Sequence, residues 1–217
     1  MPAHETLIKR LRTIPANAAA LRAERRRISN EVNALDRGAL LEIAHELMEA
    51  RIARFVAYEL VLNHRPARES ITQEEVEKLG EGMRHWGDVD AFACYIAGPA
   101  WRARRIHDAV IRTWARSDDW CWRRAALVST VPLNSRAQGG TGDTKRTLAI
   151  CGMLVADRHD MVVKAMSWAL RELAKRDPEN VRLFLSRHGD ELAARVVREV
   201  NNKLATGLKN PRGQASS

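Results

Sequence analysis

The chain has 217 residues, 36 Lys and Arg against 27 Asp and Glu, and a formal net charge of +9. With 45% hydrophobic residues it is not a disordered chain, and its length suits one domain or one repeat array with a real core. No apolar run approaches the ~18 residues needed to cross a bilayer, and the positive balance favours an anionic partner.

Strand signals are nearly absent, because no β-branched alternation and no Asn-Gly or Asp-Gly hairpin turn occurs. Helical periodicity runs almost end to end. Asn17 to about Leu35 reads as a helix with Arg22, Arg25 and Arg26 on one side. Asp36 can cap a helix from Gly38 to Ala50. Arg51 to His64 continues the pattern until Arg65-Pro66 ends it. Thr72-Gln-Glu-Glu75 is a capping box opening a helix to about His85. Gly87 and Asp88 either break that helix or begin the next, which runs to Ile96. Gly98-Pro99 reads as a stop and restart, and Trp101 to Arg116 as the following helix.

Asp118 or Asp119 caps a helix ending near Val131 and Pro132. Asn134 to Thr144 is a loop containing Gly139, Gly140 and Gly142, and Lys145 to Val155 is helical. Asp157 is the expected cap of an amphipathic helix from Asp160 to Lys175. Asp177-Pro178 opens a short helix, and Asp190 to Leu204 forms the last. The predicted fold class is all-α: a HEAT-like solenoid of antiparallel helix pairs over residues 1–206, followed by a flexible basic tail, 207–217.

The Asp160 to Lys175 helix carries two faces. Val162, Ala165, Ala169 and Leu173 make an apolar stripe, whereas Lys164, Trp168, Arg171 and Lys175 share another side. A tryptophan among three cations suits neither a core nor an ordinary solvated face, and it fits a surface meeting phosphates and a planar or cationic group.

Other motifs carry less. Gly139-Gly-Thr-Gly-Asp-Thr-Lys145 lacks the Gly-Lys-Ser/Thr ending of a phosphate loop and follows no strand, so a flexible connector is expected. The seven histidines form no helical pair, and the cysteines, Cys94, Cys121 and Cys151, have no metal-ligand spacing. Reduced thiols in a cytoplasmic protein are expected, since the opening Met1-Pro-Ala-His-Glu lacks the regions of a secretory leader.

All six tryptophans lie between positions 86 and 168. Trp86 and Asp90 are four apart and share a face if that turn is helical. Trp122-Arg123-Arg124 sets two cations beside an aromatic. Taken singly, Asp90 reads equally as a capping or salt-bridged carboxylate, and Arg124 as its ion-pair partner.

Three motifs together resemble the DNA alkylation repair family, whose best-known members are the AlkD-like alkylpurine DNA glycosylases: Trp86-Gly-Asp-Val-Asp90, Trp122-Arg-Arg-Ala-Ala126, and Lys164-Ala-Met-Ser-Trp-Ala-Leu-Arg-Glu172. Their order and separations also fit, over roughly Leu40 to Leu204. The resemblance implies a concave basic groove for duplex DNA. It also implies hydrolysis of the N-glycosidic bond of N3- and N7-alkylated purines with no metal or nucleotide cofactor. By motif, Asp90, Trp86 and Trp168 would surround the lesion, and Arg124, with Arg123, Lys164, Arg171 and Lys175, would serve DNA binding. The expected partner is double-stranded DNA containing alkylated purines, bound by a monomer with no membrane association. Two departures stand out. No aromatic precedes Phe55, where relatives carry an amino-terminal aromatic that contacts DNA, and the lysine eight residues beyond the motif arginine is replaced by Pro132. Relatives that bind branched DNA without cutting supply the alternative, a non-enzymatic binder of branched or damaged DNA. A helical scaffold for an acidic protein is a third reading.

Overall fold

The computed structural model describes residues 3–15 and 17–211, so the rest of the expected tail, 212–217, lies outside them. Among the described residues every regular element is helical. Two compact units divide the chain, Met1–Ala100 and Trp101–Ser217.

The first unit begins with a helix that the sequence reading did not anticipate, α1 (Ala3–Thr13). It is followed by α2 (Ala18–Val32), α3 (Arg37–Glu49), α4 (Arg54–Asn63), α5 (Arg65–Ser70), α6 (Gln73–Gly80) and α7 (Trp86–Phe92). Local chemistry sets most of these starts. The Asn17 side chain accepts from Ala20 N–H, and Asp36 accepts from Gly38 and Ala39. The Thr72–Glu75 capping box is complete. Pro66 does more than end a helix: with His64 as cap it opens α5, where its missing N–H needs no partner. Helix α4 is the hub, packing on α2, α3, α5 and α7, with Val56 to Val61 all buried.

Two expected boundaries differ. Helix α6 stops at Gly80 rather than near His85, and Gly82 beyond it takes φ +69°, which glycine adopts without strain. The expected stop at Gly98-Pro99 is instead helical: Ala93–Ala97 forms a π-turn, and Gly98 is in the right-handed region with its N–H on Ala93 O. The π-turn widens the backbone ladder just before Pro99, which has no N–H to give. Gly98–Arg102, α8, follows.

The second unit continues with α9 (Asp108–Ala115), α10 (Trp120–Val128), α11 (Val131–Asn134), α12 (Thr144–Met153), α13 (Asp160–Leu173), α14 (Pro178–His188) and α15 (Ala194–Thr206). The helix expected from Trp101 to Arg116 is broken. Arg104 sits at φ 61°, and Trp101 Nε1 donates to Asp108 Oδ1 at 2.8 Å, closing the turn through side chains that carry no local stop signal. Helix α13 is the hub here, contacting α10, α11, α12, α14 and α15. Val162, Ala165, Ala169 and Leu173, the expected apolar stripe, are all fully buried. Its cap is His159, which accepts from Met161 N–H, rather than Asp157, which accepts from His159 N–H and pairs with Arg123.

The glycine loop is tied down rather than left as a connector. Arg102 donates to Pro132 O and Gln138 O, and Arg176 to Asn134 O and Gly140 O. Gly140 lies so close to the Pro132–Leu133 backbone that a Cβ would sit 2.5 Å from Pro132 O. Gly140 therefore serves close packing, and Gly139 and Gly142 take positive φ of 78° and 107°, so no phosphate cradle is needed to explain them.

Candidate active site and nucleic-acid interface

Helix α7 presents the first motif. His85 caps it through an Nδ1 contact with Gly87 N–H at 3.1 Å, so Trp86 is its first residue and Asp90 lies one turn on. The i,i+4 spacing puts both on one face. Trp86 is 48% exposed, with the His85 ring tilted against it at 5.1 Å between centroids. Asp90 is half-buried on the same helix. Leaving an indole this open forfeits the burial that normally stabilises it by a few kcal/mol, which is unusual for tryptophan.

Asp88 is a second carboxylate in the motif that sequence reasoning did not single out. It is half-buried, and burial pushes its pKa above the ordinary value, with Arg54 and His85 opposing. Two residues from Asp90 along a helix, it cannot share the Trp86 face. Only its position in the first turn, where carboxylates are ordinarily favoured, hinted at it.

The second and third motifs meet in the second unit, because α10 packs along α13. Arg124, 5% exposed, donates to Met161 O in the first turn of α13. Arg123 donates to Asp157 Oδ2 at 2.7 Å and to the carbonyls of Ser117 and Asp118. Both motif arginines therefore fix the start of α13, gripping protein groups from beneath the surface.

On α13 the non-buried positions are Asp160, Met161, Lys164, Trp168 and Arg171, so the expected basic-aromatic side is the side left uncovered. Trp168 is half-buried. Lys164 pairs with Asp160 at 2.7 Å, and Lys175, just past the helix, with Glu172 at 2.7 Å. Arg171 donates from Nε to Ser167 Oγ at 3.1 Å; burial lowers its pKa, with Glu199 and Glu172 opposing, and as a guanidinium it stays cationic. Ser167 in turn donates to Glu199 Oε2 of α15 at 2.5 Å, and Arg195 donates to Glu199 Oε1 at 3.0 Å. This buried Ser167–Glu199 link orients the Arg171 side of α13. Sequence could not reveal it, because its partners lie 32 positions apart with no shared motif.

The remaining tryptophans divide by role. Trp101 and Trp114 are buried. Trp122 is half-buried with its ring 4.9 Å from that of Trp114, and Trp120 stacks on His159 at 5.0 Å. Among the described residues no cluster of three His, Cys, Asp or Glu could hold a metal ion, and no helix is long and apolar enough to cross a membrane.

The all-α array of packed helices is consistent with a helical-repeat fold. Residues 16–204 match the model of the DNA alkylation repair enzyme family, and the chain belongs to that family. Its fold is similar to that of a solved structure described as a predicted DNA alkylation repair enzyme from Enterococcus faecalis, at 17% identity and a TM-score of 0.71, over 93% of each chain. A comparison with curated proteins finds no match.

Proposed function

We propose that the protein is a DNA glycosylase hydrolysing the N-glycosidic bond of positively charged N3- or N7-alkylated purines in duplex DNA and leaving an abasic site. The observation that carries this reading is the open Trp86 indole one helical turn from Asp90. A purine alkylated at N3 or N7 is already a cation, so it can leave without being protonated. As the bond from C1′ to the base breaks, its electron pair neutralises the purine and the sugar becomes oxocarbenium-like. The Asp90 carboxylate stabilises that charge electrostatically and orients the water, whose oxygen bonds C1′ as its proton passes to the carboxylate or solvent. Tryptophan faces attract cations by ~0.5–2 kcal/mol each, so Trp86 and Trp168 favour both the lesion and the sugar cation.

Lys164, Arg171 and Lys175 hold phosphates without reading sequence, and Arg123 and Arg124 support that surface from inside. The basic groove, a monomer as the working form and a cytoplasmic location belong to the same proposal. No metal or nucleotide takes part in it.

Incubating the protein with duplex DNA containing 7-methylguanine and measuring free base tests the reading. Excision well above spontaneous loss is expected. Tight, salt-sensitive binding with no released base would instead favour the non-enzymatic binder of branched or damaged DNA.

A further inference from the structure

A hollow of about 430 Å³ opens at the carboxyl end of α13, lined by Asn134, Ser135, Arg136, Glu172, Lys175 and Arg176. Three cations and one carboxylate border it, a local excess of positive charge. Lys175 is exposed and shares Glu172, leaving two of its three donors for another acceptor. Arg176 is half-buried, and its bonds run to the carbonyls of Asn134 and Gly140. Those acceptors orient the guanidinium without cancelling its charge. Arg136 is exposed on the short helical turn Arg136–Gln138, where no ion pair or side-chain hydrogen bond holds it. The terminal carbonyls of α13 favour cations at this end of the helix. The three cations still outnumber the one carboxylate in the hollow, and that excess attracts an anion.

Lys175 also continues the uncovered Lys164–Trp168–Arg171 side of α13, seven residues beyond Trp168. At 1.5 Å per residue the two are about 10 Å apart along the helix, the axial span of about three nucleotides. We infer that this notch binds one backbone phosphate of duplex DNA, about three nucleotides from the position facing Trp168, through Arg136 and Lys175 on a guanidinium floor supplied by Arg176. The inference rests on the reading of the chain as a duplex-DNA enzyme. It adds a contact in the loop after α11, a segment outside all three sequence motifs.

Arg136→Ala is the test, because this exposed side chain has no partner to lose on folding. Binding of the full chain to undamaged duplex is measured across a salt series, with 7-methylguanine excision alongside. Losing one phosphate contact weakens binding to all sequences alike and makes the slope of log K against log salt shallower by about 0.9. Arg136→Lys is expected to restore most of the slope. A slope unchanged in Arg136→Ala overturns the notch, even if wild type excises normally. Inorganic phosphate that perturbs Arg136 in a titration while the DNA slope stays unchanged would mark a small-anion site and equally overturn it. A wild type that releases no base yet loses slope on substitution keeps the notch and removes the glycosylase reading.

Discussion

Asp88 and Asp90 carry the same chemistry two residues apart, and helix geometry separates their roles. Asp90 shares a face with the open Trp86 ring, whereas Asp88 lies near Arg54 and His85 with a raised pKa. The raised pKa means that the folded protein binds a proton more tightly there than the unfolded chain, whose aspartates titrate near ~3.9. Stability from Asp88 is therefore greatest below that value and is lost as pH rises through the folded pKa. Asp88→Asn should melt at or above the wild-type temperature at pH 7, and the gain should vanish near pH 3 in parallel thermal melts. A loss of stability at pH 7 would mean that Asp88 is held by its cationic neighbours more than burial opposes it. Because it faces away from Trp86, the substitution should also leave most excision activity.

At the scale of elements, α13 owes its setting to two contrasting supports. Arg124 holds its first turn through Met161 O, and Ser167 and Arg195 hold it to α15 through Glu199, which is 2% exposed. Burial alone would raise the Glu199 pKa; the Ser167 hydrogen bond, Arg195 and Lys209 outweigh it and keep the carboxyl below its ordinary range. Its contribution is then complete above the unfolded value of ~4.3 and fades as pH falls through the lower folded value. Glu199→Gln should cost about 1–2 kcal/mol by chemical denaturation at pH 7, discounted because Arg195 is partly solvated, with little difference left near pH 3. Equal stability at neutral pH would show that the link orders α13 without stabilising the fold.

How far these elements could be read from sequence depended on the range of the interactions involved. The caps at Asp36, Thr72 and Asp177 were legible because cap and helix are adjacent in the chain. The Arg104 turn was not, since Trp101 and Asp108 close it through side chains that look helical in isolation. Asp157 was misread as a cap because its real partner, Arg123, is 34 residues away. The two faces of α13 were visible from periodicity alone, whereas the proposed site residues came from the family resemblance of three motifs. The Ser167–Glu199 link and the cationic notch were not, because each joins helix ends and loops with no common spacing.

On the scale of the whole molecule, the central claim is the proposed glycosylase reaction, with Asp90 as the carboxylate that stabilises the sugar cation. The family assignment spans both units, from residue 16 to 204. The most direct measurement is single-turnover excision of 7-methylguanine from duplex DNA by wild type, Asp90→Asn and Trp168→Ala, with binding measured in parallel. The account predicts a loss of about 10²–10³ for Asp90→Asn with nearly unchanged DNA affinity, and about 2- to 30-fold for Trp168→Ala. Wild-type excision rates in Asp90→Asn would contradict it.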